Sequence, residues 1–234
     1  MSCEFEEQLL ATASRFDNAS HPFARGVRDG IYPRAGLHLY ATELAAVVSA
    51  FSRSLAAIFA RCDDAEVRRM LLENLLEEEG AVSFRPNDGL VVDPRRRHSD
   101  LARRFARAAG AVEDDAHGRV KIPTWFIREL GEDRWIGPLA YVVIGYEANI
   151  PPMFRALLEG FRHHYHFTEE ELAFFTEHTV ADVRHSAQGA AIIAAAARDP
   201  VAQREALDGA RRGASVWWQF HLRHHRALRS LVMA

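Results

Sequence analysis

The stretch Phe174-Phe175-Thr176-Glu177-His178-Thr179-Val180-Ala181-Asp182-Val183-Arg184-His185 carries two patterns at once. His178, Asp182 and His185 stand at i, i+4 and i+7, so at roughly 100° per residue they share one stripe of a helix. Leu172, Phe174 and Phe175 precede them, and Ala187, Ala190, Ile192 and Ile193 follow. A helix this apolar, with Val180 and Val183 on its other faces, is expected to be buried on several sides. A solvent-facing polar stripe has the same spacing. Buried imidazoles and carboxylates, however, need partners, and one metal ion serves all three. Nitrogen donors combined with a carboxylate suit iron, manganese or zinc.

Working outward, Thr168-Glu169-Glu170-Glu171 reads as the N-terminus of this helix with a capping box, and the helix runs toward Arg198 with Gly189 as a weak point. Pro200 opens a last helix that ends near the C-terminus. Upstream, Gly137 to Gly160 reads as a helix broken or kinked at Pro151-Pro152. Further helices are expected over about Glu4–Phe16, Ala35–Arg61, Glu66–Glu79 (capped by Asp63-Asp64 and stopped at Gly80), His98–Ala109 and Pro123–Leu130. Ala81–Arg97, with Pro86, Asn87, Asp88, Gly89 and Pro94, reads as an irregular loop, and Glu113–Lys121 as a polar connector. The expectation is an all-α bundle of about seven helices in a single domain, residues 1–234.

Bulk properties narrow the function. With 234 residues, 48% of them hydrophobic, the chain can bury one sizeable core. A net charge of −3 gives no general attraction for polyanions, and Arg95-Arg96-Arg97 is too short a basic run for a nucleic-acid surface. Lys121 is the only lysine. Cys3 and Cys62 form neither a zinc spacing nor a disulfide framework. The N-terminus lacks the apolar core of a signal peptide, and no apolar run reaches membrane-span length. A cytoplasmic protein with no nucleic-acid or membrane partner is expected. Dimerisation through an apolar helical face is compatible with the sequence, which does not decide it.

Two further acids invite a chemical reading. Glu77 sits in the acidic helix end Glu73-Asn74-Leu75-Leu76-Glu77-Glu78-Glu79-Gly80, where the macrodipole disfavours carboxylates. Glu147 follows the apolar Tyr141-Val142-Val143-Ile144-Gly145-Tyr146, and burying it without a counter-charge is costly. Tyr146 beside it is a candidate redox or hydrogen-bond partner, with core packing as the competing explanation. Arg184 is expected to pair with a nearby acid, and Arg155 is a candidate for holding a substrate carboxylate. His163-His164-Tyr165-His166 reads as a surface turn. His221, His224 and His225 read as one face of a partly exposed terminal helix.

Several blocks together resemble the heme-oxygenase-like diiron oxidases and oxygenases: His21-Pro22-Phe23, Tyr40-Ala41-Thr42-Glu43, Asn74 through Gly80, Tyr146-Glu147-Ala148-Asn149-Ile150-Pro151, and Phe174 through His185. The pattern is most similar to the self-sacrificing para-aminobenzoate synthases, in a superfamily that also looks related to pyrroloquinoline-quinone synthase and thiaminase II. The resemblance implies a heme-oxygenase-like fold and two iron ions held by Glu77, His98, Glu147, His178, Asp182 and His185, with manganese compatible in one position. It also implies O2 as co-substrate. In the family the first glutamate and the histidine lie within one short loop. Here Ala81–Arg97 intervenes, and His98 is preferred over His117 because His98 heads a helix that continues the family pattern.

The para-aminobenzoate synthases consume one of their own tyrosines and are thought to draw the amine from a lysine. The matching positions here are Ala24 and Leu157. The resemblance therefore points to a non-heme diiron enzyme that oxidises an external, amino-acid-like small molecule by N-oxygenation, C–C cleavage or oxidative decarboxylation. The alternatives are a cofactor-independent oxidase of the pyrroloquinoline-quinone synthase type and a non-catalytic metal-binding protein.

Overall fold

The computed structural model describes residues 2–85, 89–112 and 135–233. Among them seven α-helices of eleven residues or more carry the fold: α1 (Ser2–Ala13), α3 (His38–Arg61), α4 (Ala65–Glu78), α5 (His98–Ala108), α7 (Ile150–His163), α8 (Ala173–Ala196) and α9 (Pro200–Met233). Two shorter ones, α2 (Pro22–Arg28) and α6 (Ile136–Leu139), complete the set. The expected connector Glu113–Lys121, His117 and the expected helix Pro123–Leu130 lie outside the described residues.

Helix ends follow local chemistry. Asp64 accepts from the backbone N–H groups of Glu66 and Val67 at 2.9 and 3.1 Å, starting α4. Asp199 does the same for α9 through Val201 and Ala202. Thr168 and Glu171 form the expected reciprocal box, but it closes a turn, and regular helix begins only at Ala173. α4 stops at Gly80, whose φ of +76° suits glycine.

Three expectations are corrected. First, the segment read as an irregular loop contains an antiparallel hairpin, β1 (Ala81–Arg85) with β2 (Gly89–Val92), followed by a 3₁₀ turn at Pro94–Arg96. Its strands are short, and cross-strand pairing leaves little trace in a local pattern. Second, Pro151 and Pro152 do not break a helix. They occupy the first turn of α7, where a missing N–H costs nothing. The irregularity lies earlier: Ala140–Tyr146 is a π-helix and Glu147–Asn149 a 3₁₀ turn. Third, α8 is buried on one side only, with Val180 73% and Val183 51% exposed.

A glycine contact sets the position of the π-helix. It packs along α9 so closely that a Cβ at Gly213 would lie 2.2 Å from the Tyr141 carbonyl oxygen. Gly189 is a packing position too, since its Cβ would meet a Val143 methyl at 2.7 Å. Asn149 then donates to the Gly145 carbonyl at 2.9 Å and accepts from Asn18 at 2.6 Å, tying the residues around Glu147 to the N-terminal region. The widened turn and these ties carry Tyr146 and Glu147 into the interior together.

The core is continuous across the long helices, with Tyr40, Phe105, Phe154, Phe161 and Phe175 fully buried. Against the expectation that no apolar run reaches membrane-span length, Arg34–Arg61 is long and apolar enough to cross a membrane by length and composition. Its Leu44, Leu55 and Ile58 are nonetheless packed into this same core.

Candidate metal centre

Four elements converge on a group of six buried ionisable side chains: Glu78 from α4, His98 from α5, Glu147 after the π-helix, and His178, Asp182 and His185 from α8. They form two trios. The ligand atoms of Glu78, His98 and His178 all lie within 4.8 Å of one another, and so do those of Glu147, Asp182 and His185. Each trio could hold a metal ion. A cavity of about 40 Å³ is lined by Glu78 and His178 from the first and by Glu147 and Asp182 from the second.

The hydrogen bonding leaves ligand atoms free. His178 donates through Nδ1 to the Phe174 carbonyl at 2.7 Å, which presents Nε2 as a lone pair. His98 Nδ1 lies 2.9 Å from Glu78 Oε1 yet makes no aligned hydrogen bond. Glu147 Oε2 and Asp182 Oδ2 are buried without a hydrogen-bond partner among the described residues. Two orphaned carboxylate oxygens and a misaligned imidazole–carboxylate contact are what donors arranged for a cation look like. The mix of oxygen and nitrogen donors fits iron or manganese.

Electrostatics agree. Burial, followed by the neighbouring Asp182, pushes the Glu147 carboxyl up to about 8. Burial likewise raises Asp182. His178 is held down to about 3 by burial and by His98, so it stays neutral and able to ligate. Burial would lower His185 as well, but Asp182 and Glu77 outweigh it and carry the imidazole up to about 10. Burial thus makes these carboxyls costly to ionise, a cost that a bound cation would offset.

Five of the six expected ligands, His98, Glu147, His178, Asp182 and His185, are brought together here. The insertion before His98 folds into the hairpin and returns His98 to the site. Glu77 is displaced from the set: it is half-exposed, accepts from Arg184 at 2.7 Å, and contacts His185 Nε2 at 2.8 Å. Its neighbour Glu78 fills the inward position. The signal was in the sequence, because Val67, Met70, Leu71, Asn74 and Glu78 form the buried stripe of α4. Arg184 pairs with an acid as expected. Arg155 does not reach the cavity and bonds instead to the Thr179 carbonyl.

Tyr146 lines the cavity, and its hydroxyl lies 3.3 Å from that of Tyr141. Burial holds its phenol well above the ordinary range, so it remains protonated. His221 and His224 are fully buried rather than partly exposed, packed with Tyr40, Phe23 and Trp217 and held neutral by burial.

Comparison with known proteins gives the family and the fold. A curated 4-aminobenzoate synthase from Chlamydia muridarum is 31% identical over 207 residues, covering 85% of this chain and 81% of its own. Among solved structures, a TenA homologue from Pseudomonas syringae pv. tomato superposes with a TM-score of 0.74 at 15% identity, covering 94% of this chain and 92% of its own. A domain with a heme oxygenase-like fold from Shewanella denitrificans gives 0.69 at 16% identity, covering 97% and 91%. These two establish the heme-oxygenase-like fold alone. The family profile described as iron-containing redox enzyme matches residues 38–218, most of the chain, and this protein belongs to that family.

Proposed function

We propose that the chain holds two iron ions, one between Glu78, His98 and His178 and one between Glu147, Asp182 and His185, and uses them with O2 to oxidise an external small molecule. The observation that carries this reading is the pair of buried three-donor groups facing one cavity, with carboxylate oxygens that no protein group satisfies. Bound iron supplies electrons for O2 and Lewis acidity for its reduction products. Three carboxylates against two divalent ions would leave the centre near +1, a charge that would attract anions. Manganese in one position is compatible with the same donors.

The remaining chemistry belongs to the chain. Phe174 fixes the tautomer of His178, while Glu77, itself gripped by Arg184, holds His185 from outside. Phe154, Phe174, Ile150 and Trp217 line the rest of the cavity and limit water. Tyr146 keeps its proton and can hydrogen-bond, or give a hydrogen atom, at the cavity wall.

The resemblance to the self-sacrificing para-aminobenzoate synthases implies self-directed chemistry, but the positions that it matches to the consumed tyrosine and the amine-donating lysine are Ala24 and Leu157, both fully buried and apolar. Neither can be consumed, so the substrate comes from outside. An amino-acid-like molecule undergoing N-oxygenation, C–C cleavage or oxidative decarboxylation remains the preferred class. A cytoplasmic setting suits the free thiol of Cys62.

The test is anaerobic loading with Fe(II), metal counting, and rapid mixing with O2 under an optical probe. About two irons per chain and a transient absorption accelerated by the right substrate are expected. Activity that survives chelation would replace this reading with the cofactor-independent oxidase. Iron without any oxygen reaction would leave a metal-binding protein.

A further inference from the structure

A second, larger cavity adjoins the metal centre. It measures about 570 Å³, the size of a small-molecule site, and shares Leu44, Val47, Tyr146 and Trp217 with the inner cavity. Its other apolar walls are Val216 and the Phe220 ring, both on α9. The inner cavity has room for a diatomic molecule or a few water-sized ones but not for a substrate body. A substrate must therefore lie outside and present only one end to the shared wall.

The charged groups of the outer cavity leave one positive charge over. Glu43 is already neutralised by the Arg223 guanidinium and lies 3.5 Å from His224 Nε2. Arg226, exposed at the rim, makes no hydrogen bond or ion pair among the described residues. Trp217, 5% exposed, leaves its buried Nε1–H without an acceptor. The Tyr146 hydroxyl is engaged with Tyr141. Gln219, also in the lining, is an exposed neutral amide, so the one charge that no ion pair balances among the described residues is the Arg226 guanidinium, beside an apolar wall. Its complement is an anion.

We propose that this outer cavity is the substrate site and that it selects an amphipathic carboxylate. The carboxylate meets Arg226, the apolar body lies against Val216 and Phe220, and the far end reaches the Tyr146–Trp217 wall, beyond which the metals sit. The assignment of this ligand as the substrate rests on the dinuclear oxidase reading; the selectivity itself does not.

The experiment titrates metal-free protein with 6-phenylhexanoate and with its neutral counterpart 6-phenylhexan-1-ol, followed by calorimetry and tryptophan fluorescence. The acid is expected to bind about fivefold or more tighter than the alcohol, the scale of a charge-assisted contact at a half-exposed site. Arg226→Gln should erase that preference and leave alcohol binding unchanged. Glu43→Gln, which frees Arg223, should strengthen acid binding. Both substitutions are on exposed helix positions, so folding is not at stake. Equal affinity for acid and alcohol, a preference that survives Arg226→Gln, or no saturable binding of either would overturn the proposal. Iron counting on the wild-type protein separates the two readings. Acid selectivity without stoichiometric iron sinks the oxidase and keeps the anion site, whereas two irons without acid selectivity do the reverse.

Discussion

Adjacent side chains on a helix point about 100° apart, and at the end of α4 that rotation divides two carboxylates between two roles. Glu78 continues the buried stripe and faces His98, while Glu77 stays half-exposed between Arg184 and His185. Glu78→Gln is expected to lower bound iron from about two to about one per chain. Glu77→Gln should keep the stoichiometry and weaken binding by about ten- to a hundredfold, as expected when a residue only orients a ligand. Metal counting at saturating and at limiting Fe(II) checks both, and the opposite pattern would return Glu77 to the ligand set. Asp182→Ala removes the carboxylate with the orphaned oxygen and should abolish iron-dependent O2 consumption. Full consumption by that variant would sink the dinuclear reading. The α8 triad was legible because its three residues repeat at helical spacing. The resemblance points to Glu77, whereas the stripe of Val67, Met70, Leu71 and Asn74 points to Glu78.

The π-helix and α9 are held together by a contact that only glycine permits. Gly213→Ala forces a methyl group against the Tyr141 carbonyl and is expected to cost about 1–3 kcal/mol through overpacking, seen as a lower urea midpoint. Because the π-helix delivers Tyr146 and Glu147, the same variant should also bind iron more weakly. A destabilised variant with unchanged iron affinity would show that the π-helix does not position the site. α8 supplies Asp182 to a cavity that also holds the Glu78 and Glu147 carboxylates. Without metal the burial of these acids is uncompensated, so α8 amides should exchange faster in the metal-free protein than in the loaded one. Equal protection by hydrogen exchange would count against that account. The π-helix itself was not legible, since its apolar run fits an ordinary buried helix and its widened turn depends on what α9 offers.

Across the whole molecule, acid should act through buried histidines away from the metals. His21 accepts from the Phe23 N–H through Nδ1 and donates through Nε2 to the Trp218 carbonyl, and burial lowers it from 6.5 to about 4. Between those values the unfolded chain binds the proton and the folded chain does not, so stability rises with pH there. This contribution is complete above about pH 6.5 and is lost as the pH falls toward about 4. His21→Asn keeps a capping acceptor without the titration, and its urea midpoint should fall less than that of the wild type over this window. Parallel pH dependence in the two proteins would assign the effect elsewhere, with His221, also lowered by burial, the next group to replace.

Helical spacing alone determined that this chain is an all-α bundle, and it placed His178, Asp182 and His185 on one face, because both follow from a 3.6-residue period that any reader of the sequence can count. The resemblance added His98 and Glu147. Only the tertiary structure decided that Glu78 rather than Glu77 faces the buried donors, that the Ala81–Arg97 segment contains a hairpin, that the prolines begin α7, and that a larger cavity adjoins those donors. Apart from the hairpin, whose short strands pair near neighbours, these depend on contacts between residues distant in sequence: Glu78 with His98, Tyr141 with Gly213, Glu43 with Arg223. Such pairings arise when the bundle closes, and no local period encodes them.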